Sequence, residues 1–214
     1  MAEWRSYYDA NAGRQDAQGW YADAPLRFLA AAGGFESARH LLEAGCGTGR
    51  FARELLRTRL PGSARYSGVD FSPAMLSRAA RRLAPCRQAI SLIEADLHNG
   101  LPFADACCDR FLVTYVFDLL DSRATGALLR EAHRVLEPGG LLCTASLARD
   151  ADGLMPRIAA GLWTLAARLA PGRVGGCRPV SLASHLPQAH WRLLARRTIV
   201  HGGLPSQVIV AEAL

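Results

Sequence analysis

Residues 41–51 read LLEAGCGTGRF, and the run YSGVDFSP follows at residues 66–73. The first run is an apolar strand pattern that leads into three glycines at alternate positions, Gly45, Gly47 and Gly49. Glycine has no Cβ, so the backbone can turn sharply there and approach a ligand closely. Asp70 ends the next strand pattern about 20 residues beyond Gly49, where an acid holds a ribose in βαβ nucleotide-binding units. The spacing therefore predicts a nucleoside-binding site.

Three details narrow the kind of nucleoside. The dinucleotide fingerprint G-x-G-x-x-G needs a third glycine where this chain has Arg50, and the P-loop needs a lysine, which the chain lacks altogether. Glu43, two residues before the first glycine, would repel a pyrophosphate but suits an ammonium group, directly or through water. A ligand with a ribose, an amino group and no phosphate points to S-adenosylmethionine (SAM). A tight strand-to-helix turn that binds no ligand is the alternative.

The motif [DE]-x-G-x-G-x-G resembles motif I of the class I SAM-dependent methyltransferases. Asp96, in IEADLHNGLPF, matches the family's acid after the third strand, and EAHRVLEPGGLL at 131–142 resembles its R-x-L-x-P-G-G motif. The resemblance covers most of residues 38–147 and is nearest to the small-molecule branch that includes ubiquinone- and menaquinone-pathway methyltransferases. It implies the cofactor SAM, the product S-adenosylhomocysteine (SAH) and no metal.

The resemblance also implies roles for individual side chains. Glu43 would bind the methionine amino group, Asp70 the ribose, and Asp96 the adenine amino group, with Leu97 as an apolar contact beside the ring. The whole implied cofactor-binding set is Glu43, Gly45, Cys46, Gly47, Thr48, Gly49, Asp70, Phe71, Met75, Asp96, Leu97 and Tyr115.

The candidates for catalysis and acceptor binding are other residues, apart from Tyr115, which belongs to both groups. Tyr115 ends the fourth strand pattern and would border the methyl group that is transferred. Asp118 would either face the acceptor or be a helix-start carboxylate. Many relatives have a histidine near this point, and this chain has none. Tyr8 and Tyr21 would line the pocket under an N-terminal lid or simply anchor a helix. Arg178, in a glycine-rich loop, would bind an acidic acceptor or remain solvated.

The predicted fold class is α/β: a Rossmann-like, seven-stranded, mainly parallel sheet with helices on both faces and an antiparallel last strand. One domain is expected, with a helical lid at 1–35, a SAM-binding core at 36–148 and a substrate-side helix with closing strands at 149–214. The predicted helices are 3–14, 22–33, 49–58, 73–83, 122–136 and 154–169. The predicted strands are 39–44, 65–70, 89–93, 110–115, 140–147, 192–200 and 207–212.

Composition limits the partners and the compartment. The chain has 214 residues, a net charge of +6 and basic residues that form no stripe, which disfavours nucleic acid. Six cysteines without disulfide or metal spacing predict a reduced, cytoplasmic protein. No apolar run is long enough to span a bilayer. The apolar helix at 154–169 could cover the pocket or meet a second subunit, so a homodimer is one possibility.

The sequence therefore predicts a methyltransferase that passes the SAM methyl group to a small molecule by direct in-line displacement. A thiolate, an activated carbon or a neutral amine could react without a general base, whereas a hydroxyl usually needs one. Three alternatives stay open: a class I methyltransferase acting on RNA or protein, a catalytically silent SAM-binding scaffold, and an NAD-dependent oxidoreductase, which Arg50 disfavours.

Overall fold

The structure is a computed structural model that describes residues 19–149, 154–169 and 177–214. The predicted helix at 3–14 lies outside these ranges. The strands are β1 (His40–Ala44), β2 (Arg65–Asp70), β3 (Ala89–Glu94), β4 (Cys108–Thr114), β5 (Leu136–Leu147), β6 (Trp191–His201) and β7 (Leu204–Ala213). The helices are α1 (Gly19–Ala32), α2 (Arg50–Thr58), α3 (Pro73–Leu83), α4 (Ser122–Val135) and α5 (Leu154–Leu169).

The strands form one seven-stranded sheet in the order β3-β2-β1-β4-β5-β7-β6. Neighbouring strands from β3 to β5 run parallel, whereas β7 runs antiparallel to both β5 and β6. Buried apolar clusters lie on the two faces of the sheet, where the helices pack. The predicted fold class is confirmed, including the antiparallel last strand.

Local chemistry explains where the elements near the site begin. Helix α3 is capped by Ser72, whose hydroxyl accepts a hydrogen bond from the Met75 amide at 3.2 Å, and has Pro73 at its first position. Helix α4 starts after Asp121, whose carboxylate accepts from the Ala124 amide at 2.8 Å. The caps place both helix starts at the edge of the sheet where β2 and β4 end.

The structure corrects two predicted boundaries. The long helix ends at Val135, and β5 already begins at Leu136, which pairs with Cys108 before the register shifts. The second correction concerns the final hairpin, where the sequence suggested a six-residue link, HGGLPS. His201 pairs with Leu204, so only two glycines, with φ of +56° and +81°, form the turn. Two left-handed residues match the twist of a tight hairpin.

The apolar helix α5 has two different sides. Its Trp163 ring packs against the ring of Tyr21 at a centroid distance of 6.1 Å. Four large side chains on the same helix are exposed: Ile158, Leu162, Leu165 and Leu169. Among the helices of the described ranges, none is long and apolar enough to cross a membrane.

Candidate cofactor-binding site

The loop after β1 has a left-handed backbone at its three glycines, with φ of +73° at Gly45, +52° at Gly47 and +71° at Gly49. The amides of Gly45 and Cys46 both donate to the Val69 carbonyl of β2, at 2.8 and 2.9 Å. These bonds fix the start of the loop against the end of the neighbouring strand. The loop then leads directly into α2, as the glycine pattern predicts.

The three glycines are needed for different reasons. A Cβ on Gly45 would lie 2.3 Å from the Cγ2 atom of Val116, and one on Gly49 would lie 3.2 Å from the Cβ of Ala79 on α3. A Cβ on Gly47 would meet no atom within 4 Å. Gly45 and Gly49 therefore allow close packing of the protein, whereas Gly47 faces open space that a ligand can enter.

This difference predicts opposite effects for two alanine substitutions. Gly45→Ala combines left-handed strain with the Val116 clash, so we expect a loss of about 2–4 kcal/mol in the free energy of unfolding. Gly47→Ala carries only the strain, about 1 kcal/mol, but its methyl group enters the ligand space and should weaken SAH binding at least roughly tenfold. Thermal melting and calorimetric titration measure the two effects.

Gly62→Ala is the matched control for these variants, because a Cβ there meets nothing within 4 Å and its φ is not positive. It should leave both melting and SAH binding unchanged. Equal melting temperatures for the Gly45 and Gly47 variants, or wild-type SAH affinity in Gly47→Ala, would contradict this division of roles.

Asp70 connects the glycine loop to the start of α3. Its Oδ2 accepts from the Gly47 amide at 2.9 Å, and its Oδ1 accepts from the Ser72 amide at 3.0 Å. The residue is only 6% exposed. A carboxylate can accept several hydrogen bonds at once. The arrangement suits an acid that positions the loop and also accepts ligand hydroxyls.

Glu43 is buried beneath the loop, at 2% exposure. Burial raises the pKa of its carboxyl group to about 8. A hydrogen bond from Tyr66 lowers this pKa, and the charge of Asp70 raises it further. The Tyr66 hydroxyl donates to Oε2 at 2.6 Å. Sequence reasoning missed Tyr66, although Glu43 lies opposite Gly68 in the β1–β2 register and Tyr66 is two residues from Gly68. Alternation along β2 therefore contained the signal.

Asp96 follows β3 and begins a short 3₁₀ turn. Its Oδ1 accepts from the His98 amide at 3.0 Å and bonds the His98 Nδ1 atom at 2.9 Å. Desolvation raises the pKa of the Asp96 carboxyl, but the His98 contacts outweigh it and the net shift is downward. Leu97 is partly buried against the apolar cluster on this face. His98 is a second residue that the sequence analysis did not connect to the site.

The remaining members of the predicted cofactor set pack around the loop. Met75 is buried and contacts Phe71 and Leu119. The Thr48 hydroxyl accepts from the Arg82 guanidinium at 2.6 Å, and the same nitrogen reaches the Thr48 carbonyl at 3.2 Å. Arg82, from the last turn of α3, therefore ties the glycine loop to that helix.

Tyr115, directly after β4, has an unusual backbone for a bulky residue, with φ of +56°. Its hydroxyl donates to the Ser206 Oγ atom at 3.2 Å. Its ring meets the ring of Tyr21 edge-on, with centroids 5.4 Å apart and an interplanar angle of 86°. Burial raises the pKa of the Tyr115 phenol. Strained residues of this kind concentrate at functional sites.

Asp118 and Arg178 lie at the same edge of the sheet but differ in exposure. Asp118 is fully buried, and its carboxylate accepts from the Leu147 amide at 3.0 and 3.2 Å. Burial raises the pKa of this carboxyl well above its usual value, although the Leu147 bond opposes the shift. The exposed Arg178 donates its amide to the Asp118 carbonyl at 2.8 Å, and its guanidinium reaches the Leu120 carbonyl at 3.4 Å. The predicted Tyr8 contact lies outside the described residues.

No disulfide joins any of the six cysteines, all of which lie in the described ranges. Within the described ranges, no group of three or more histidine, cysteine, aspartate and glutamate side chains could hold a metal ion. The expectation that the protein needs no metal stays a prediction.

The sheet order, the glycine loop after β1 and the acid at the end of β2 define a class I SAM-dependent methyltransferase fold. Residues 41–140 match the family model described as a methyltransferase domain. This part of the chain therefore matches the methyltransferase family that its motifs predict. The matched part contains the glycine loop, both acids at the strand ends, Tyr115 and Asp118.

Named relatives agree with this placement. The chain is 42% identical over 108 residues to a malonyl-[acyl-carrier protein] O-methyltransferase of Dechloromonas aromatica (strain RCB), covering 50% of this chain and 36% of that protein. It is 32% identical over 153 residues to the ubiquinone/menaquinone biosynthesis C-methyltransferase UbiE of Syntrophotalea carbinolica, covering 72% of this chain and 59% of that protein. The chain thus spans less than two thirds of the length of these curated relatives.

A solved structure shows the same fold at low identity. The N-methyltransferase NodS from Bradyrhizobium japonicum WM9, in complex with SAH, superposes with a TM-score of 0.64 and 18% identity, covering 89% of this chain and 84% of that chain.

Proposed function

We propose that this chain binds SAM and transfers its methyl group to a small-molecule acceptor by direct in-line displacement. The observation that carries the proposal is the contact of Asp70 with the Gly47 amide, above the buried Glu43 carboxyl. When bound, SAM supplies a methyl group already activated by its positive sulfur. The protein then has to bind SAM and the acceptor, orient them and exclude water. It needs no covalent intermediate of its own.

The residues present fit this ligand in their chemistry. Glu43 would pair with the methionine ammonium and Asp70 would accept the ribose hydroxyls. Asp96 would accept the adenine amino group beside Leu97. Gly47 leaves room for the ligand to lie against the protein backbone, because a Cβ there would meet no atom within 4 Å. Cys46, Thr48, Phe71 and Met75 complete the proposed wall of the pocket.

The acceptor side rests on the aromatic contact between Tyr115 and Tyr21. We assign these rings to the wall that keeps water from the reacting atoms, with Tyr115 nearest the methyl group. Asp118 is buried, so it acts as a positioning residue that fixes the end of β5 to the turn after β4. Arg178 is exposed and so available to an acidic acceptor, and Tyr8 is proposed to belong to the same side.

The other proposals concern partners and location. A lid at 1–35, a core at 36–148 and a substrate-side segment at 149–214 remain our division of the chain. Six cysteines outside any disulfide support a reducing compartment such as the cytoplasm. A methyltransferase acting on RNA or protein remains the second candidate, and the silent scaffold the third.

Two measurements test the proposed function. Calorimetric titration with SAH should give saturable binding, and its absence in the folded protein would overturn the proposal. An SAH-release screen should then include thiols, phenols, amines, quinone precursors and malonyl thioesters, the last two because of the names of the relatives. Binding without turnover on any small molecule, but with turnover on RNA or protein, would favour the second candidate.

A further inference from the structure

Three polar side chains meet beneath the glycine loop: Glu43 on β1, Tyr66 on β2 and Cys46 in the loop itself. All three are buried. A Cβ on Gly68 would lie 2.8 Å from the Tyr66 hydroxyl oxygen and 3.0 Å from the Cys46 sulfur. Because Gly68 has no side chain, the Tyr66 hydroxyl can occupy the space beside it. Gly68 itself lies directly opposite Glu43 in the register of β1 and β2.

The direction of the hydrogen bond between Tyr66 and Glu43 is fixed by their burial. Burial, together with the nearby Glu43, raises the pKa of the Tyr66 phenol well above its ordinary value, so the phenol keeps its proton. Burial likewise raises the pKa of the Cys46 thiol. The Tyr66 hydroxyl is therefore the donor in the 2.6 Å bond to Oε2 of Glu43.

The surroundings of Glu43 contain no basic partner among the described residues. The groups that face it are the Tyr66 phenol and the Asp70 carboxylate of β2 and the Cys46 thiol of the loop; its partner in register on β4 is the apolar Leu112. Because burial raises the pKa of Glu43 to about 8, the side chain is mostly protonated near neutrality. An arriving ammonium group would supply the missing positive charge.

We propose that Tyr66 positions Glu43 as a proton-linked receptor for the amino group of the bound ligand. When the ammonium group binds, the Glu43 carboxyl gives its proton to solvent and forms a carboxylate–ammonium pair, while Tyr66 keeps its own proton and stabilises the new carboxylate. This inference rests on the proposed function, since it assumes a ligand with an amino-acid end.

The linkage gives a measurable proton balance in the wild-type protein. Titration with SAH at pH 7, in two buffers of different ionisation enthalpy, should show release of about one proton. The affinity for SAH should rise between pH 6 and pH 8 as Glu43 ionises more easily. 5′-Methylthioadenosine, which lacks the amino and carboxyl groups, should bind with no such release and no such rise.

Tyr66→Phe keeps the ring and removes only the donor. Losing a hydrogen bond to a charged group should weaken SAH binding on the order of tenfold at pH 7. The loss of SAH affinity relative to the wild type should become smaller towards pH 8. The affinity for 5′-methylthioadenosine should not change. A purely structural effect would weaken both ligands equally at every pH, and that result would overturn the proposal.

Glu43→Gln supplies a second, independent test. The amide resembles the protonated acid but cannot ionise, so SAH binding should become independent of pH between 6 and 8 and release no proton. Retained proton release in this variant would also overturn the proposal. If the wild type bound neither ligand, the proposed function itself would fail, which is a distinguishable outcome.

Discussion

Asp70→Ala is expected to weaken SAH binding at least about 100-fold, more than any other single change in the cofactor pocket. The substitution removes the acceptor for the Gly47 amide and for the Ser72 amide, so the loop and the start of α3 both lose their common anchor. It also removes the carboxylate proposed to accept the ribose hydroxyls. Hydrogen bonds to a charged group contribute about 1.5–3 kcal/mol each. Calorimetric titration measures the loss, with thermal melting to confirm that the variant is folded.

Two further variants separate ligand contact from loop anchoring. Asp70→Asn keeps one acceptor oxygen without the charge, so its affinity should lie between wild type and alanine. Asp96→Ala should cost less than roughly tenfold, because the Asp96 side chain is 30% exposed and one oxygen is bonded to His98. SAH affinity in folded Asp70→Ala within about threefold of wild type would remove Asp70 from the binding site.

The glycine loop could be predicted because its signals are local. The strand, the glycines and the helix follow one another without interruption, and each residue type has a backbone reason to be there. The spacing to Asp70 needs only one helix and one strand of ordinary length. Patterns of this kind involve residues that are close together in the chain. Both the α/β fold class and the loop could therefore be predicted from the sequence.

The contacts between elements could not be predicted in the same way. Arg82 reaches Thr48 across 34 residues, and Tyr115 reaches Ser206 across 91. Such pairs depend on which side chain of a helix or strand faces which neighbour, and that depends on the register of the whole sheet. Tyr66 is intermediate, since alternation along β2 was visible but its register with β1 was not.

Asp118 illustrates a different limit. Its position after β4 suggested either contact with the acceptor or a helix-start carboxylate. The structure places Asp118 in the first turn of a short 3₁₀ helix, Phe117–Leu119, and adds a bond to the amide at the end of β5 that neither reading anticipated. The left-handed backbone of Tyr115, three residues earlier, turns the chain in this region. Bulky residues rarely adopt that conformation, so sequence patterns give no warning of it.

Asp109→Ala should have the largest effect on folding, a loss of about 3–5 kcal/mol in the free energy of unfolding. The carboxylate lies at the opposite edge of the sheet from the cofactor site and is buried. It accepts from the amides of Arg39 at 3.0 Å and His40 at 2.7 Å, which start β1. It also pairs with the buried Arg110 guanidinium at 3.3 Å. Alanine would leave the two amides without this acceptor and the Arg110 guanidinium without its carboxylate, although that guanidinium keeps its bonds to the Gly33 and Gly34 carbonyls. The melting temperature should fall by roughly 10 °C for a domain of this size.

Asp105→Ala is the matched control, because it removes the same side chain four residues away in a different setting. Asp105 forms an ion pair with Arg134, but its side chain is 79% exposed. Surface pairs contribute little, so its melting temperature should stay within about 2 °C of wild type. The Asp109 carboxylate bonds the backbone at the start of β1, the strand that leads into the glycine loop. Asp109→Ala should therefore lose SAH affinity only where the protein unfolds. Similar melting temperatures for the two variants, or weakened SAH binding in Asp109→Ala below its melting transition, would contradict a purely structural role for Asp109.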